Sequence, residues 1–176
     1  MKKSRIQIRI ATQEDIRYIA LLGRVTFTET FGHLFRDKQD LFTYCDATFS
    51  VRKIADSIQK SNSMYWIALK DEVAVGYAKL KLNSPSEFMP GEHSCQLQKI
   101  YVLKASLSLK IGSQMQNALL QKAKEKGFSK IWLSVLKSNE RALGFYRKTG
   151  FQVVGQHNFQ IGKEHFEFMA MAKSLT

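Results

Sequence analysis

Acidic residues are scarce in this chain: 15 Asp and Glu stand against 27 Lys and Arg over 176 positions, a formal net charge of +12. Proline and cysteine are scarcer still, at two each. Cys45 and Cys95 lie far apart, with no Cys or His at metal-ligand spacing, so neither a disulfide framework nor a zinc site is indicated. A reducing cytoplasm is the expected compartment. No apolar run approaches the roughly 20 residues needed to span a bilayer. The basic start, Met1-Lys-Lys-Ser-Arg5, runs into an alternating Ile6 to Ile10 segment and not an apolar stretch, so no secretory signal is read there. With 44% apolar and 24% charged residues, disorder and collagen-like repeats are excluded, and the length suits one domain, residues 1–176. What remains to be explained is the basic excess, which could serve a nucleic acid, a membrane surface or a small polyphosphate ligand.

The apolar pattern alternates between two periods. Ile6, Ile8 and Ile10 alternate with polar residues and read as a strand. Thr12 offers an N-cap hydroxyl, and Ile16, Ile19, Ala20, Gly23, Phe27 and Phe31 form one helical stripe to about Gly32. Residues 33–48 mix aromatics and Asp without a clean period. Ser50 caps a short helix carrying Val51, Ile54, Ala55 and Ile58. Met64 to Leu69 and Val73 to Leu82 read as a hairpin, and Leu97 to Leu103 as a further strand. Ile111 to Lys126 is helical, with Gly127 at the expected left-handed stop. Ile131 to Leu136 is a strand, and Ser138 caps a helix to Lys148 that Gly150 closes. Phe151 to Val154 and Phe166 to Ala172 complete the order. A mixed α/β domain of seven strands and four helices around a central sheet follows.

Two segments carry chemistry. In the first, the strand Leu97-Gln-Lys-Ile-Tyr-Val-Leu103 leads through a loop to Lys110-Ile-Gly-Ser113 at a helix start. Unpaired N–H groups and the positive dipole end make such a start suited to a pyrophosphate. Spacing alone is equally compatible with a strand, glycine and helix that bind nothing. The second is Asn139-Glu-Arg-Ala142-Leu-Gly-Phe145-Tyr146-Arg-Lys148-Thr-Gly150-Phe151.

This second segment, with the Ile100-Tyr-Val102 strand and the Ile111-Gly-Ser113 helix start, resembles the GNAT superfamily of acyl-CoA-dependent N-acetyltransferases, whose members carry N-x-x-A-x-x-F-Y-x-K-x-G-F after a strand. The resemblance covers Leu97 to Phe151 by motif and the whole chain by element order, and implies a GNAT-like, mostly antiparallel sheet of about seven strands flanked by four helices. The runs Thr26-Phe-Thr-Glu29-Thr-Phe-Gly-His33 and Gly155-Gln-His157-Asn-Phe159-Gln-Ile-Gly162 look most like the bacterial spermine/spermidine acetyltransferase branch.

The resemblance implies roles. Acetyl-CoA would be the cosubstrate, with no metal. Tyr101, Val102 and Leu103 would pair with the pantetheine arm as an added strand. A backbone N–H near Val102 would donate to the thioester oxygen. Lys110, Ile111, Gly112, Ser113 and Gln114 would hold the pyrophosphate. Asn139 and Ala142 would line the far wall, and Tyr146 would sit near the sulfur as an acid for the departing thiolate.

Two departures bear on function. The family loop reads Q/R-x-x-G-x-G/A, whereas this chain has Leu107-Ser-Leu-Lys110-Ile-Gly112, with Lys110 where the first glycine stands. Lysine must adopt the local backbone angles, and its ammonium could replace the absent Arg charge. Many relatives place a base Glu where this chain has Gln98, which accepts no proton. Glu29, with His33 one helical turn on, is the candidate to serve the acceptor amine; a water chain to Glu92 is an alternative.

The expected activity is acetyl transfer to the primary amine of a small molecule, a polyamine among the candidates, by direct attack. Alternatives are acetylation of a protein N-terminus or lysine, which needs an open groove beside the Asn83 to Glu92 loop, and a catalytically silent CoA-binding domain. Nucleic-acid binding lacks a helix-turn-helix or stacking-aromatic motif, no membrane contact is expected, and the oligomer would be a monomer or homodimer. The charge fits a polyphosphate partner: up to Ser94 the chain has 14 basic and 11 acidic residues, and after it 13 and 4. A polycationic acceptor would need a local acidic cleft, built from Glu29, Asp37, Asp40, Glu87 or Glu92.

Overall fold

The computed structural model describes residues 3–91 and 93–176. Seven strands form one sheet in the order β1-β2-β3-β4-β5-β7-β6, where β1 is Ile6–Ile10, β2 Ser63–Lys70, β3 Val73–Lys81, β4 Ser94–Val102, β5 Lys130–Leu136, β6 Gln152–Ile161 and β7 Glu164–Ser174. Every neighbouring pair is antiparallel except β4 and β5. The mixed fold implied by the resemblance is therefore borne out. The helices number five among the described residues, not four: α1 Ile16–Phe31, α2 Lys38–Thr48, α3 Val51–Ile58, α4 Ile111–Glu125 and α5 Glu140–Lys148.

The additional helix is α2, in the segment that shows no period. Asp37 caps it by accepting the Gln39 N–H at 2.9 Å. Only Leu41 and Cys45 of α2 are buried, while Phe42 is 52% exposed, so the inward stripe is two residues wide and an outward aromatic blurs it. At α1 the capping also differs. A 3₁₀ turn, Gln13–Asp15, precedes the helix, and the Asp15 carboxylate accepts the Thr12 N–H at 2.8 Å together with both Arg9 guanidinium nitrogens, at 2.7 and 2.9 Å.

The sheet is covered on both faces. On one side α4 and α5 place Ile111, Met115, Leu119, Ala123, Leu143 and Tyr146 against Trp66, Ala78, Leu97, Ile131 and Leu133. On the other, Ile19, Leu22, Phe27, Phe31, Cys45 and Ile54 from α1, α2 and α3 meet Ile67, Tyr77 and Leu136. The strands β2, β3 and β5 are thus covered on both faces, which is why they read as near-continuous apolar runs.

Two pairing irregularities open the sheet. β4 pairs with β5 only from Ser94↔Lys130 to Gln96↔Trp132, after which the parallel strands part. Between β3 and β4, Lys79 faces Lys99 while Leu80 faces Leu97, leaving Gln98 as an unpaired bulge residue. The bulge lies where the strands separate and turns the rest of β4 away from β5.

Candidate active site

The gap between the parted strands is a cavity of about 580 Å³ that passes from one face of the sheet to the other. On the α4–α5 side it is walled by Lys110, Gly112, Ser113, Asn139, Ala142 and Tyr146. Glu29, Phe31, His33 and Leu34 from the end of α1 and the turn after it wall the opposite side, with Ser134, Leu136 and Phe168. Between the two ends runs β4, contributing Gln98, Ile100, Tyr101 and Val102.

The start of α4 is an anion cradle. Gln114 is the first residue whose N–H closes an intrahelical bond, to the Lys110 carbonyl at 3.2 Å. The N–H groups of Ile111, Gly112 and Ser113 precede it and have no helical partner, and no side chain caps them. Lys110 itself adopts φ 56° and ψ 24°, the left-handed region that glycine favours. The non-glycine residue at the family's glycine position therefore keeps the turn and accepts strain of about 1 kcal/mol or more. With Arg141 also on this wall, two cations stand beside the cradle.

The middle of the cavity supplies one free amide. Leu103 N–H donates to the Val75 carbonyl across β3–β4 at 2.8 Å. Alternation along the strand turns Val102 N–H to the other, open edge. An extended ligand lying in the gap can pair there as a strand would, and a carbonyl oxygen placed against that amide would be polarised. Leu103 does not wall the cavity, because its N–H is committed to β3. Ile111 and Gln114 are likewise off the wall. Ile111 is fully buried in the core under α4, and Gln114 points outward with its N–H spent.

Asn139, not Ser138, is the N-cap of α5: its Oδ1 accepts the Ala142 N–H at 3.1 Å. Its amide nitrogen makes no hydrogen bond among the described residues. Ala142 is the small residue of that wall, where a larger side chain would narrow the gap. Tyr146 packs edge-on against Phe145 and Phe151 and is 8% exposed, and burial pushes its phenol well above the usual tyrosine range. The hydroxyl thus stays protonated throughout the physiological range, fit to donate a hydrogen bond and slow to surrender its proton.

At the opposite end, Glu29 Oε2 accepts the backbone N–H of Lys104 at 2.7 Å, tying α1 to the 3₁₀ turn Lys104–Leu109. Its other oxygen makes no bond among the described residues. The remaining acidic residues named for this cleft are elsewhere. Asp37 pairs with Lys163 Nζ at 2.9 Å, and Asp40 accepts the Lys163 N–H at 2.8 Å. Glu164 accepts from the N–H and the Nε of Arg36, at 2.9 Å each. Together these bonds strap the α1–α2 connection to the β6–β7 hairpin, whose Gly162 has φ 56° and carries the Asp40 carboxylate against its Cα, where a side chain would collide. Glu87 does not wall the cavity, and Glu92 lies outside the described residues.

Sequence reasoning passed over Ser134. Its hydroxyl faces the cavity and is 2.8 Å from Nε2 of His157, whose ring stacks on Phe168 at 5.5 Å and 13°. A lone hydroxyl inside the apolar run Ile131-Trp-Leu-Ser134-Val-Leu136 was the available signal.

Known proteins agree with this architecture. The family model described as acetyltransferase (GNAT) family matches residues 31–151. An uncharacterised N-acetyltransferase encoded in the pepI 3′ region of Lactobacillus delbrueckii subsp. lactis is 24% identical over 170 residues, 97% of this chain and 98% of that protein. Among solved structures, the PaiA N-acetyltransferase of Thermoplasma acidophilum in complex with coenzyme A superposes with a TM-score of 0.78 at 21% identity, covering 97% of this chain and 99% of that one. The ribosomal-protein-S18-alanine N-acetyltransferase of Escherichia coli has a TM-score of 0.71 at 14% identity, covering 98% and 95%. The matched residues include β4, β5, α4 and α5, the elements that frame the cavity, and this chain belongs to the acetyltransferase (GNAT) family.

Proposed function

We propose that the chain transfers an acetyl group from acetyl-CoA to the primary amine of a small molecule whose body is apolar or aromatic. The observation that carries this is the composition of the acceptor end of the cavity. Phe31, Leu34, Leu136 and Phe168 line it, and Glu29 is the only carboxylate there among the described residues. A single carboxylate matches a single ammonium. A polyamine needs several, and Asp37 and Asp40 are held by Lys163 instead.

The residues act in sequence along the cavity. The α4 cradle with Lys110 takes the pyrophosphate, and the pantetheine arm lies against the open edge of β4. Val102 N–H polarises the thioester carbonyl and stabilises the oxyanion that forms on attack. Glu29 draws the acceptor ammonium to the thioester by charge. Tyr146 donates a hydrogen bond to the developing thiolate; its raised pKa keeps the donor proton in place and leaves the charge shared along that bond. Acetyl-CoA supplies the acyl group, and everything else is positioning and electrostatics.

A second reading, acetylation of a peptide N-terminus, is favoured by one observation: none of the described residues of the Asn83 to Glu92 loop walls the cavity. One experiment separates the two. Thiol release from acetyl-CoA is followed with 2-phenylethylamine, spermidine and an alanyl peptide as acceptors. The first reading expects 2-phenylethylamine to give the highest kcat/KM; preference for spermidine refutes the single-carboxylate argument, and preference for the peptide selects the second reading.

A further inference from the structure

We propose that Ser134 and His157 form the proton relay that frees the acceptor amine for attack, Ser134 meeting the ammonium and His157 acting through it. The inference rests on the acetyltransferase reading and adds the base that reading lacks.

An alkylammonium titrates near 10 and must lose a proton before its nitrogen can attack a thioester. Most polar groups at the acceptor end are committed elsewhere. The bulge residue Gln98 has an amide that takes up no proton. Thr30 spends its hydroxyl on the Thr26 carbonyl at 2.8 Å, and Glu29, tied by one oxygen to Lys104 N–H at 2.7 Å, has the other to hold the ammonium by charge. His33 is exposed, and among the described residues no hydrogen bond or ring contact orients its ring.

Ser134 differs from all of these. The alternation of β5 sends Leu133 and Val135 into the α4–α5 core and Ser134 to the acceptor side, where it walls the cavity. Its Oγ is 2.8 Å from Nε2 of His157. That ring is held flat on Phe168, itself a wall of the cavity, and Phe88 approaches it at 6.3 Å. Such stacking fixes the imidazole in one orientation, the requirement for a base that works through a neighbouring hydroxyl.

In the tautomer that leaves Nε2 as acceptor, the step balances simply. The ammonium N–H proton passes to Ser134 Oγ as the Oγ proton passes to Nε2, and the half-buried imidazolium then releases its Nδ1 proton to solvent. The neutral amine forms the C–N bond, the C–S bond breaks, and the sulfur leaves as thiolate against Tyr146. The groups that meet the His157 ring are neutral: Ser134 from β5, Phe168 from β7 and Phe88 from the loop before β4. The titratable groups sharing the cavity with Ser134 are Glu29, His33, Tyr101 and Lys104 at its acceptor end and middle, and Lys110, Arg141 and Tyr146 on the cosubstrate side.

The test compares wild type with Ser134→Ala, Ser134→Thr, His157→Gln and His33→Gln, using 2-phenylethylamine from pH 6 to 10. Calorimetry with CoA and a melting curve accompany each variant. Ser134→Ala and His157→Gln should bind CoA within about 2-fold of wild type yet lose roughly 10²-fold or more in kcat/KM at pH 7. Their rates should climb with unit slope to pH 10, as the amine loses its proton unaided, while the wild-type rate levels off. Ser134→Thr, which keeps the hydroxyl, should restore the plateau. A wild-type profile in His157→Gln, or loss of the plateau in His33→Gln alone, overturns the relay and leaves the acetyltransferase reading standing. A wild-type protein that binds CoA and acetylates no amine overturns both.

Discussion

Replacing Lys110 separates two effects that meet at one residue. Its backbone sits at φ 56°, so the side chain costs about 1 kcal/mol of backbone strain that glycine would not carry. Its ammonium lies at the mouth of three uncapped α4 N–H groups, where a pyrophosphate would dock. A cation there contributes roughly 1–2 kcal/mol to binding a dianion in a half-solvated cleft, or about 5- to 30-fold in Kd. Lys110→Gly removes strain and charge together, and Lys110→Ala removes only the charge. Both variants should therefore bind CoA about 5- to 30-fold more weakly at low ionic strength, with the difference from wild type shrinking in 1 M salt, where the screening length falls to about 3 Å. Lys110→Gly should melt about 2–4 °C above Lys110→Ala, the shift that ~1 kcal/mol gives a chain of this size. Calorimetric titration at two salt concentrations and a thermal melt read both quantities. Tighter CoA binding by Lys110→Gly than by wild type would refute the charge argument and show that the lysine obstructs the cradle; equal melting of the two variants would refute the strain argument.

Three further perturbations have definite expected outcomes. Tyr146→Phe should lower kcat about 10- to 100-fold through loss of one charge-assisted hydrogen bond to the thiolate, with acetyl-CoA affinity within about 2-fold of wild type; unchanged turnover removes Tyr146 from the leaving-group role. Lys99 lies with Nζ 5.3 Å from the Phe49 ring centre, and burial lowers its ammonium from 10.5 to about 8. The unfolded chain binds that proton more readily than the folded one, so the penalty is fully present below pH 8 and fades as the pH rises towards 10.5. Lys99→Met should consequently gain up to ~3 kcal/mol at pH 7 and little at pH 10 in urea unfolding, and an equal gain at both pH values would sink this account. Asp15 is 3% exposed and accepts Arg9 and Thr12, and the bond from Arg9 holds its carboxyl below the usual range. Its contribution is present above about pH 4 and lost as the pH falls through its lowered value, so Asp15→Asn should cost about 2–3 kcal/mol at pH 7 and progressively less in acid, again by urea unfolding.

How far the sequence could be read follows from what each signal depends on. Elements whose apolar residues face one core, such as α4 with Ile111, Met115, Leu119 and Ala123, show their period directly, and Gly127 and Gly150, with φ of 81° and 93°, close α4 and α5 where local sequence says they should. The strands β6 and β7 run well past their apolar ends. Gln152 to Gln160 are mostly exposed polar residues on an edge strand, kept extended by pairing with β7 and not by a pattern of their own. The site was legible only in part for the same reason. Local motifs mark the cradle and the Asn139 cap, whereas the parting of β4 from β5, the bulge at Gln98 and the meeting of Ser134 with His157 are pairing and packing outcomes between residues as much as 36 positions apart. No window along the chain contains them.

The basic excess now has a direction within the cavity. Lys110 and Arg141 stand on the cosubstrate wall, and Glu29, the single carboxylate of the other wall among the described residues, is held by Lys104 N–H. In the proposed reaction the polyphosphate and the ammonium would be drawn to opposite ends of one passage, with Val102 and the parted strands between them. Acetylation removes this polarity on one side only. The product amide has no charge for Glu29 to hold, while CoA keeps every phosphate contact it had as acetyl-CoA. In the proposed reaction the same field would let the amide leave first and retain CoA, so release of CoA from Lys110 and the α4 amides is the step expected to reset the site.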